Sequence, residues 1–374
     1  MSSPVSYLSP RQLARDLAIR DLSDPAAGAH AIQLLIDKAV RSLALAWGCD
    51  VRWCRGSRIV PVADNYDRLN YPPGAITREV RYTRYVAEGR MLRSHSTAMV
   101  PPALRSLAAD PAGAADDVLL VCPGIVYRRD AIDWQHAGTP HQLDLWRITR
   151  RAPGSEAMAD MTAILIGSLT GGLPWRRQPR AHPYTSPGWQ VDVCHDGRWV
   201  EVWECGQAHP SVLAAAGLPG RSGLALGMGL DRLLMIAKGI PDIRLLRSAD
   251  PRVARQMLDL TPYQRVSVMP AIARDLSVAV SPGEDEETLG DRVRDALGPD
   301  ARCVEAVRVL SAAAYERLPG PAIARLGARP GQRNLLVRVT LRDLDTTLTN
   351  EAANRLRDRI YAALHEGTRH EWSA

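Results

Sequence analysis

Apolar residues recur at helical spacing in Ile32, Leu35, Ile36, Ala39, Val40 and Leu43, and Trp47-Gly48 closes that pattern, so a helix is predicted there. Val51 to Val62 reads as extended segments, and Arg90 to Arg105 as a further helix. Val118-Leu119-Leu120-Val121-Cys122 is a continuous apolar run of the buried-strand type. Val126 to Asp130 reads as the next strand, and Gln142 to Ile148 alternates like its antiparallel partner. Ala157 to Leu169 is predicted helical, and Val191 to Val193 and Trp199 to Val202 are strands joined by a turn over His195-Asp196-Gly197-Arg198. The chain is then organised around Gly223 to Met235, which reads as a short apolar strand, a glycine-rich turn and an apolar helix stopped by Gly239 and Pro241. Arg232 falls in the first turn of that helix. Glycines just before it let backbone approach a ligand, and an arginine beside a positive helix N-terminus suits a phosphate.

The pattern changes after Asp259 to Pro262, which reads as a linker. Arg265 to Met269, Leu276 to Val280, Val304 to Leu310 and Leu335 to Leu341 are strand-like, while Glu284 to Leu297 and Glu351 to Leu364 are amphipathic helices, the second with Thr349 and Asn350 as cap candidates. Strands with two helices on one face predict an α+β sandwich. Residues 1–27 are polar with scattered Leu, and a loop rich in Ala, Asp, Pro and Gly covers 107–117.

A length of 374 residues allows two domains with a substantial core. No apolar run approaches a membrane span. The N-terminus lacks the apolar core of a signal peptide, and Asp16, Asp21 and Asp24 argue against a transit peptide, so a cytoplasmic protein with no membrane partner is expected. The balance of 47 Lys+Arg against 41 Asp+Glu is compatible with nucleic acid without demanding it. Six cysteines occur without a C-x-x-C pair. Cys194, His195, Cys205 and His209 lie close in sequence at a spacing that fits no standard zinc site. The count of Phe is zero, although Trp and Tyr number 9 and 10.

Two arginine-bearing stretches carry a resemblance. Gly124-Ile125-Val126-Tyr127-Arg128-Arg129-Asp130, followed by His136 and His141-Gln142-Leu143-Asp144, together with Gly223 to Met235, resembles motifs 2 and 3 of class II aminoacyl-tRNA synthetases. More narrowly, the chain is similar to the catalytic subunit of phenylalanyl-tRNA synthetases. Asn65-Tyr66-Asp67-Arg68-Leu69-Asn70 matches that family's N-F-D-x-L-N, and Met91 to Thr97 its L-R-T-H-T-S. Tyr184-Thr185-Ser186-Pro187 with Val191-Asp192-Val193 matches F-T-E-P and its strand, and Trp199 to Pro210 matches W-L-E-x-x-G-C-G-M-x-H-P. Arg274-Asp275-Leu276-Ser277 and Leu335 to Thr349 resemble the family's ferredoxin-fold anticodon-binding domain, and both modules in one chain are similar to the single-chain organellar form.

The resemblance implies an α+β protein. A class II antiparallel-sheet catalytic core with helices would span 28–258, behind an N-terminal extension at 1–27. A linker at 259–262 would lead to a ferredoxin-like sandwich at 263–374. It implies ATP and Mg2+, an amino acid and a Phe-type tRNA as partners, and a monomer or homodimer. Arg128 would meet the α-phosphate and Arg232 the γ-phosphate, with Glu201 near Mg2+. Pro140, His141 and Gly229 would lie along the ATP. His95, Thr97, Gln142 and Asp144 match positions that hold the substrate's amino and carboxyl groups. His182, Tyr184, Gln207 and Ala225 match the side-chain pocket.

The chain also departs from the family. Its F-P-F is His182-Pro183-Tyr184 here, the phenylalanine expected to stack on adenine is Pro140, and G-F-A-F-G is Gly223-Leu224-Ala225-Leu226-Gly227. The acid of F-T-E-P is Ser186, the motif 2 acid is the shorter Asp144, a Q-x-R is Val100-Pro101-Pro102, a glycine is Glu204 and a methionine is Gln207. These changes point to a pocket more polar than one built for a bare phenyl ring, hence to a substrate with a hydrogen-bonding side chain or to a site no longer used for phenylalanine; phenylalanine or a ring-substituted analogue is the substrate expected. Three readings follow: a ligase charging tRNA, a paralogue activating an amino acid for a biosynthetic carrier or small molecule, and a non-catalytic tRNA-binding regulator.

Overall fold

The structure is a computed structural model that describes residues 7–79, 82–110, 116–266 and 269–370. The chain divides into two compact units. The first comprises residues 1–128, 139–240 and 256–263, the second 129–138, 241–255 and 264–374. These units interleave along the chain, unlike the contiguous division expected from the sequence.

The first unit runs α1 (Pro10–Ala18), α2 (Ala31–Trp47), β1 (Asp50–Trp53), β2 (Ile59–Pro61), α3 (Val62–Asn65), β3 (Tyr85–Ala87), β4 (Arg90–Leu92) and α4 (Val100–Ala109). It continues with β5 (Asp117–Ile125), β6 (His141–Thr149), α5 (Ala157–Thr170), β7 (Trp175–Pro179), β8 (Thr185–His195), β9 (Arg198–Ala208), α6 (Pro210–Ala215), β10 (Ser222–Gly229) and α7 (Leu230–Lys238). Seven strands form one sheet in the order β1-β5-β6-β10-β9-β8-β7. Only β1 against β5 is parallel; the other pairs are antiparallel.

Side chains alternate between the faces of a strand, so register sorts them. Cys122, Asp144, Gly227 and Glu204 form one row across β5, β6, β10 and β9, with Leu120, Trp146, Ala225 and Gly206 in the next row on the same face. Val100, Leu104 and Leu107 of α4 and Val212 and Leu213 of α6 join Leu120, Trp146, Ile148 and Ala225 in one buried cluster, so these helices cover one end of that face. On the opposite face lie Leu119, Arg147, Leu224 and Gln207. The Arg147 guanidinium stacks 4.4 Å from the ring of Trp47 in α2, which identifies this as the face the long helices cover. Among the described residues no helix is long and apolar enough to cross a membrane.

Three predicted elements are corrected. Arg90 to Arg105 is not one helix: β4 takes 90–92, a 3-10 turn spans Ser96–Met99, and α4 begins at Val100. Pro101 and Pro102 lack the N–H groups that an interior turn would bond, so they serve only in a first turn. Val126 to Asp130 is not a strand. The sheet ends at Ile125, after which the Val126 N–H donates to the Pro140 carbonyl and that of Tyr127 to the Arg93 carbonyl. Nor is there a turn between β10 and α7, because strand passes directly into helix at Gly229–Leu230.

The second unit contains all but the last residue of α8 (Pro251–Gln256), with β11 (Ile272–Val280), α9 (Glu286–Leu297), β12 (Val304–Ala314), α10 (Gly320–Leu326), β13 (Arg333–Leu341) and α11 (Asn350–Leu364). Its sheet is antiparallel in the order β11-β13-β12. Asp285 and Thr288 make a reciprocal cap on α9, and Thr349 caps α11. Of the strand expected at 265–269, Ser267 and Val268 lie outside the described residues, as do residues 111–115 of the expected 107–117 loop. Ile132 packs in this unit's core, and Arg294 donates to the Asp130 and Ala131 carbonyls at 2.6 and 2.8 Å.

Candidate active site

The unroofed end of the sheet face has a floor without side chains. A Cβ built on Gly229 meets nothing within 4 Å, and one on Gly227 meets only the Asp144 carboxylate, at 3.8 Å. Asp144 walls this strip on the β6 side and Glu204 on the β9 side, because both pair with Gly227 across β10. An irregularity in β8–β9 pairing, with Asp192 opposite Glu201 and Val191 opposite Trp203, shifts the alternation by one residue. That shift keeps Glu201 on the same face as Glu204.

Asp144 is buried and accepts three side-chain hydrogen bonds. One of its oxygens accepts from Ser96 Oγ at 2.5 Å and Thr97 Oγ1 at 3.1 Å, the other from Trp146 Nε1 at 3.3 Å. Burial raises its carboxyl to about 6 against those hydrogen bonds. Gln142 accepts from the Ser96 N–H at 3.1 Å. His95 receives the Asn65 side-chain amide at Nε2, 3.3 Å away, which puts its proton on Nδ1, a buried atom with no hydrogen-bond partner among the described residues. Burial, then the nearby Arg128 charge, depress His95 to about 3, so the ring is neutral.

Arg128 is exposed just past β5, and its guanidinium makes no hydrogen bond or ion pair among the described residues. Its charge is felt at both His95 and Tyr71. Arg232, in the first turn of α7, donates to the Glu201 carbonyl at 3.4 Å. The Glu201 carboxylate is exposed, yet the protein around it and then the charge of Glu204 raise its pKa, opposed by Arg232.

An aromatic chain borders the strip. Tyr71 lies 5.9 Å from His95 and 6.1 Å from Tyr184, and Tyr184 stacks on Trp146 at 6.0 Å and on His182 at 5.1 Å. Glu204 accepts from His182 Nε2 at 2.5 Å and from Arg180 Nε at 2.8 Å. Two departures from the family pattern, His182 and Glu204, are thus each other's partners.

Three expected residues fall elsewhere: Ala225 is buried in one cluster with Trp146, against which Tyr184 packs, rather than lining an open pocket, and His141 and Gln207 face away. His141 is wholly buried on the helix-covered face; its Nε2 accepts from the Leu22 N–H at 3.1 Å and its Nδ1 meets Asp231 at 3.0 Å. It cannot line the ATP in this arrangement, because both ring nitrogens are engaged in the core. Gln207 pairs with Leu224 and so points away from Ala225 and Asp144, outside the side-chain pocket. Pro140 is half-buried at the start of β6, its carbonyl engaged by Val126. Tyr71, Ser96, Trp146 and Arg180 join the site without having been expected from the sequence. Trp146 has a usable signal, since it stands two residues after Asp144 in an alternating strand. Among the described residues no three His, Cys, Asp or Glu side chains group to hold a metal, the Cys194–His209 set included.

The sheet, with its glycine floor and flanking charges, belongs to a class with a sequence signature. Residues 16–257 match the family of tRNA synthetases class II core domain (F), and the chain belongs to that family. The alpha subunit of phenylalanine–tRNA ligase from Prochlorococcus marinus is 34% identical over 59% of this chain and 64% of its own length. The same subunit from Nostoc punctiforme is 29% identical over 64% of this chain and 70% of its own. The chain therefore spans only part of the length of the curated relatives it matches. A solved pyrrolysyl tRNA synthetase from Desulfitobacterium hafniense aligns with a TM-score of 0.45 at 16% identity, over 63% of this chain and 77% of that one.

Proposed function

We propose that this chain is an aminoacyl-tRNA ligase that joins an aromatic amino acid, phenylalanine or a ring-substituted analogue, to ATP as the aminoacyl adenylate and transfers it to a Phe-type tRNA. The observation that carries this reading is the juxtaposition, at one end of the glycine floor, of three groups with complementary chemistry. Asp144 is an acid suited to an ammonium, His95 offers an orphan Nδ1–H suited to a carboxylate, and Arg128 is an undedicated cation suited to phosphate.

Attack of the amino-acid carboxylate on the α-phosphate expels pyrophosphate and builds charge on phosphate oxygens. Fixed cations then act most strongly, and Arg128 and Arg232 supply them. The Glu201 carboxylate accepts no hydrogen bond among the described residues and is crowded by Glu204, the condition of a carboxylate suited to a cation. It would hold Mg2+, with the nucleotide's own oxygens completing the shell. Bound Mg2+ supplies charge to the phosphates. The second unit, read as ferredoxin-like and anticodon-binding, would contact the tRNA. Location in the cytoplasm and a monomeric or homodimeric state complete this reading.

Amino-acid-dependent exchange of pyrophosphate into ATP, followed by transfer to tRNA, tests it. Exchange without transfer to any tRNA points to a carrier or small-molecule acceptor, and no exchange at all points to a non-catalytic tRNA binder.

A further inference from the structure

We propose that Glu204 and His182, with Arg180 as the positioning residue, select an aromatic amino acid whose ring bears a hydrogen-bond donor, hydroxyl or amino, over unsubstituted phenylalanine. This rests on the aminoacyl-ligase reading above and names its substrate class.

Three observations converge. Trp146 is 0% exposed and Ala225 2% exposed, and Trp146 stacks on Tyr184, so this chain's own rings fill the sheet face over Ala225. What stays open is the strip over Gly227 and Gly229. With Asp144 at one wall of that strip assigned to the ammonium, the side chain of the substrate runs toward the other wall, which is Glu204.

Glu204 and His182 keep side-chain exposures of only 21% and 20%, so what hydration they retain is on their open side. A bare phenyl ring laid there strips water from a carboxylate and an imidazole and returns no hydrogen bond. A ring hydroxyl or amino group replaces that water by donating to Glu204, whose two oxygens hold one partner each and have lone pairs to spare. His182 stacks on Tyr184 at 5.1 Å and hydrogen-bonds Glu204, so the carboxylate is held at a fixed height beside the ring slot. Arg180 draws on the other oxygen from the more exposed side. Discrimination of this kind is strong because the wrong substrate leaves buried groups unpaired.

The test is amino-acid-dependent pyrophosphate exchange by the full chain with phenylalanine, tyrosine, meta-tyrosine and 4-aminophenylalanine. We expect kcat/KM for at least one donor-bearing ring to exceed that for phenylalanine by about tenfold or more. The pair His182→Phe and Glu204→Gly, made together, should reverse the preference. Glu204→Gln, nearly the same volume, should cut the ratio at least about threefold. A ratio within one preparation does not depend on the fraction folded, so a poorly folding variant still reports. Phenylalanine turned over as well as or better than every donor-bearing ring overturns the selection while leaving the ligase reading intact. Exchange with none of the four overturns both.

Discussion

The two ends of the site hold their charges in opposite ways. At the end proposed for the nucleotide, Arg128 has no hydrogen-bonding or ion-pair partner among the described residues, and the Glu201 carboxylate is exposed without accepting a hydrogen bond. At the amino-acid end almost every polar group is engaged by a neighbour: Glu204 by His182 and Arg180, Asp144 by Ser96, Thr97 and Trp146. The end proposed for the nucleotide also keeps the family's charged residues, although Pro140 stands where a phenylalanine would stack on adenine, whereas the end proposed for the amino acid changes both its rings and its charges. The difference is physical. Cations that must meet a growing phosphate charge lose their use if they are satisfied beforehand. A side-chain pocket can be recomposed as long as each buried polar group finds a partner. That freedom lets the pocket be built from Tyr, Trp and His in a chain with no Phe.

The largest effects are expected at the nucleotide end. Arg128→Ala, Arg232→Ala and Glu201→Ala should each lower pyrophosphate exchange by on the order of 3 kcal/mol, a hundredfold or more, with unchanged thermal unfolding. If all three stay within a few-fold of the parent, the nucleotide end has been misplaced and the contrast collapses.

Asp144 sharpens the contrast through pH. Its carboxyl is raised from 3.8 to about 6, so in the free protein it is largely protonated below that pH and cannot hold an ammonium. On the acid limb, kcat/KM for the amino acid should therefore fall about tenfold per pH unit below that point. Asp144→Asn should give low activity with a flat profile there. The sign for stability is opposite to that of an ordinary ion-paired acid. Between these two values the native state holds more protons than the unfolded chain, so this group's contribution falls as pH rises through the window.

What the sequence made legible follows from what is periodic. The helix at Ala31–Trp47, the strands β5 and β6, the β8–β9 hairpin and α7 are readable from spacing, as are α9 and α11. The 3-10 turn at Ser96–Met99 is not, because its residues carry no period of their own. Helix α1 is too short for its few leucines to set a period, although Ser9 and Gln12 form a capping box that sequence displays directly. The site was legible as a set of residue types and illegible as a surface. Which of two neighbours on a strand faces the substrate depends on register, and a single extra residue in β9 moves Glu201 onto the face of Glu204. Pairings such as His182 with Glu204, 22 residues apart, have no local signal at all.

A smaller effect separates scaffold from site at His141. His141→Ala removes the acceptor for the Leu22 N–H and a partner of Asp231 inside the core. It should cost about 1–3 kcal/mol of stability, read as a lowered unfolding midpoint. The KM for ATP, measured well below that midpoint, should stay close to the parent's. A large rise in that KM with unchanged stability would return His141 to the nucleotide end.

The smallest effect is expected at Gln207, and it tests register alone. Gln207 and Glu204 lie in the same strand, and both differ from the family pattern in the direction of polarity. Residue type alone would therefore assign them the same role in the pocket. Register separates them: Glu204 pairs with Gly227 on the substrate face, Gln207 with Leu224 on the face that the long helices cover. Gln207→Met restores the family's residue on the far side of the sheet. Its row there holds Leu119, Arg147 and Leu224, and a methionine stem packs among such neighbours about as well as a glutamine's. The ratio of kcat/KM between donor-bearing and unsubstituted aromatic amino acids should therefore stay within about twofold of the parent, the scale of a substitution away from the site. A shift in that ratio as large as the one from Glu204→Gln would mean that β9 sits one residue out of the register described, which would exchange the residues of its two faces and remove Glu204 from the pocket wall.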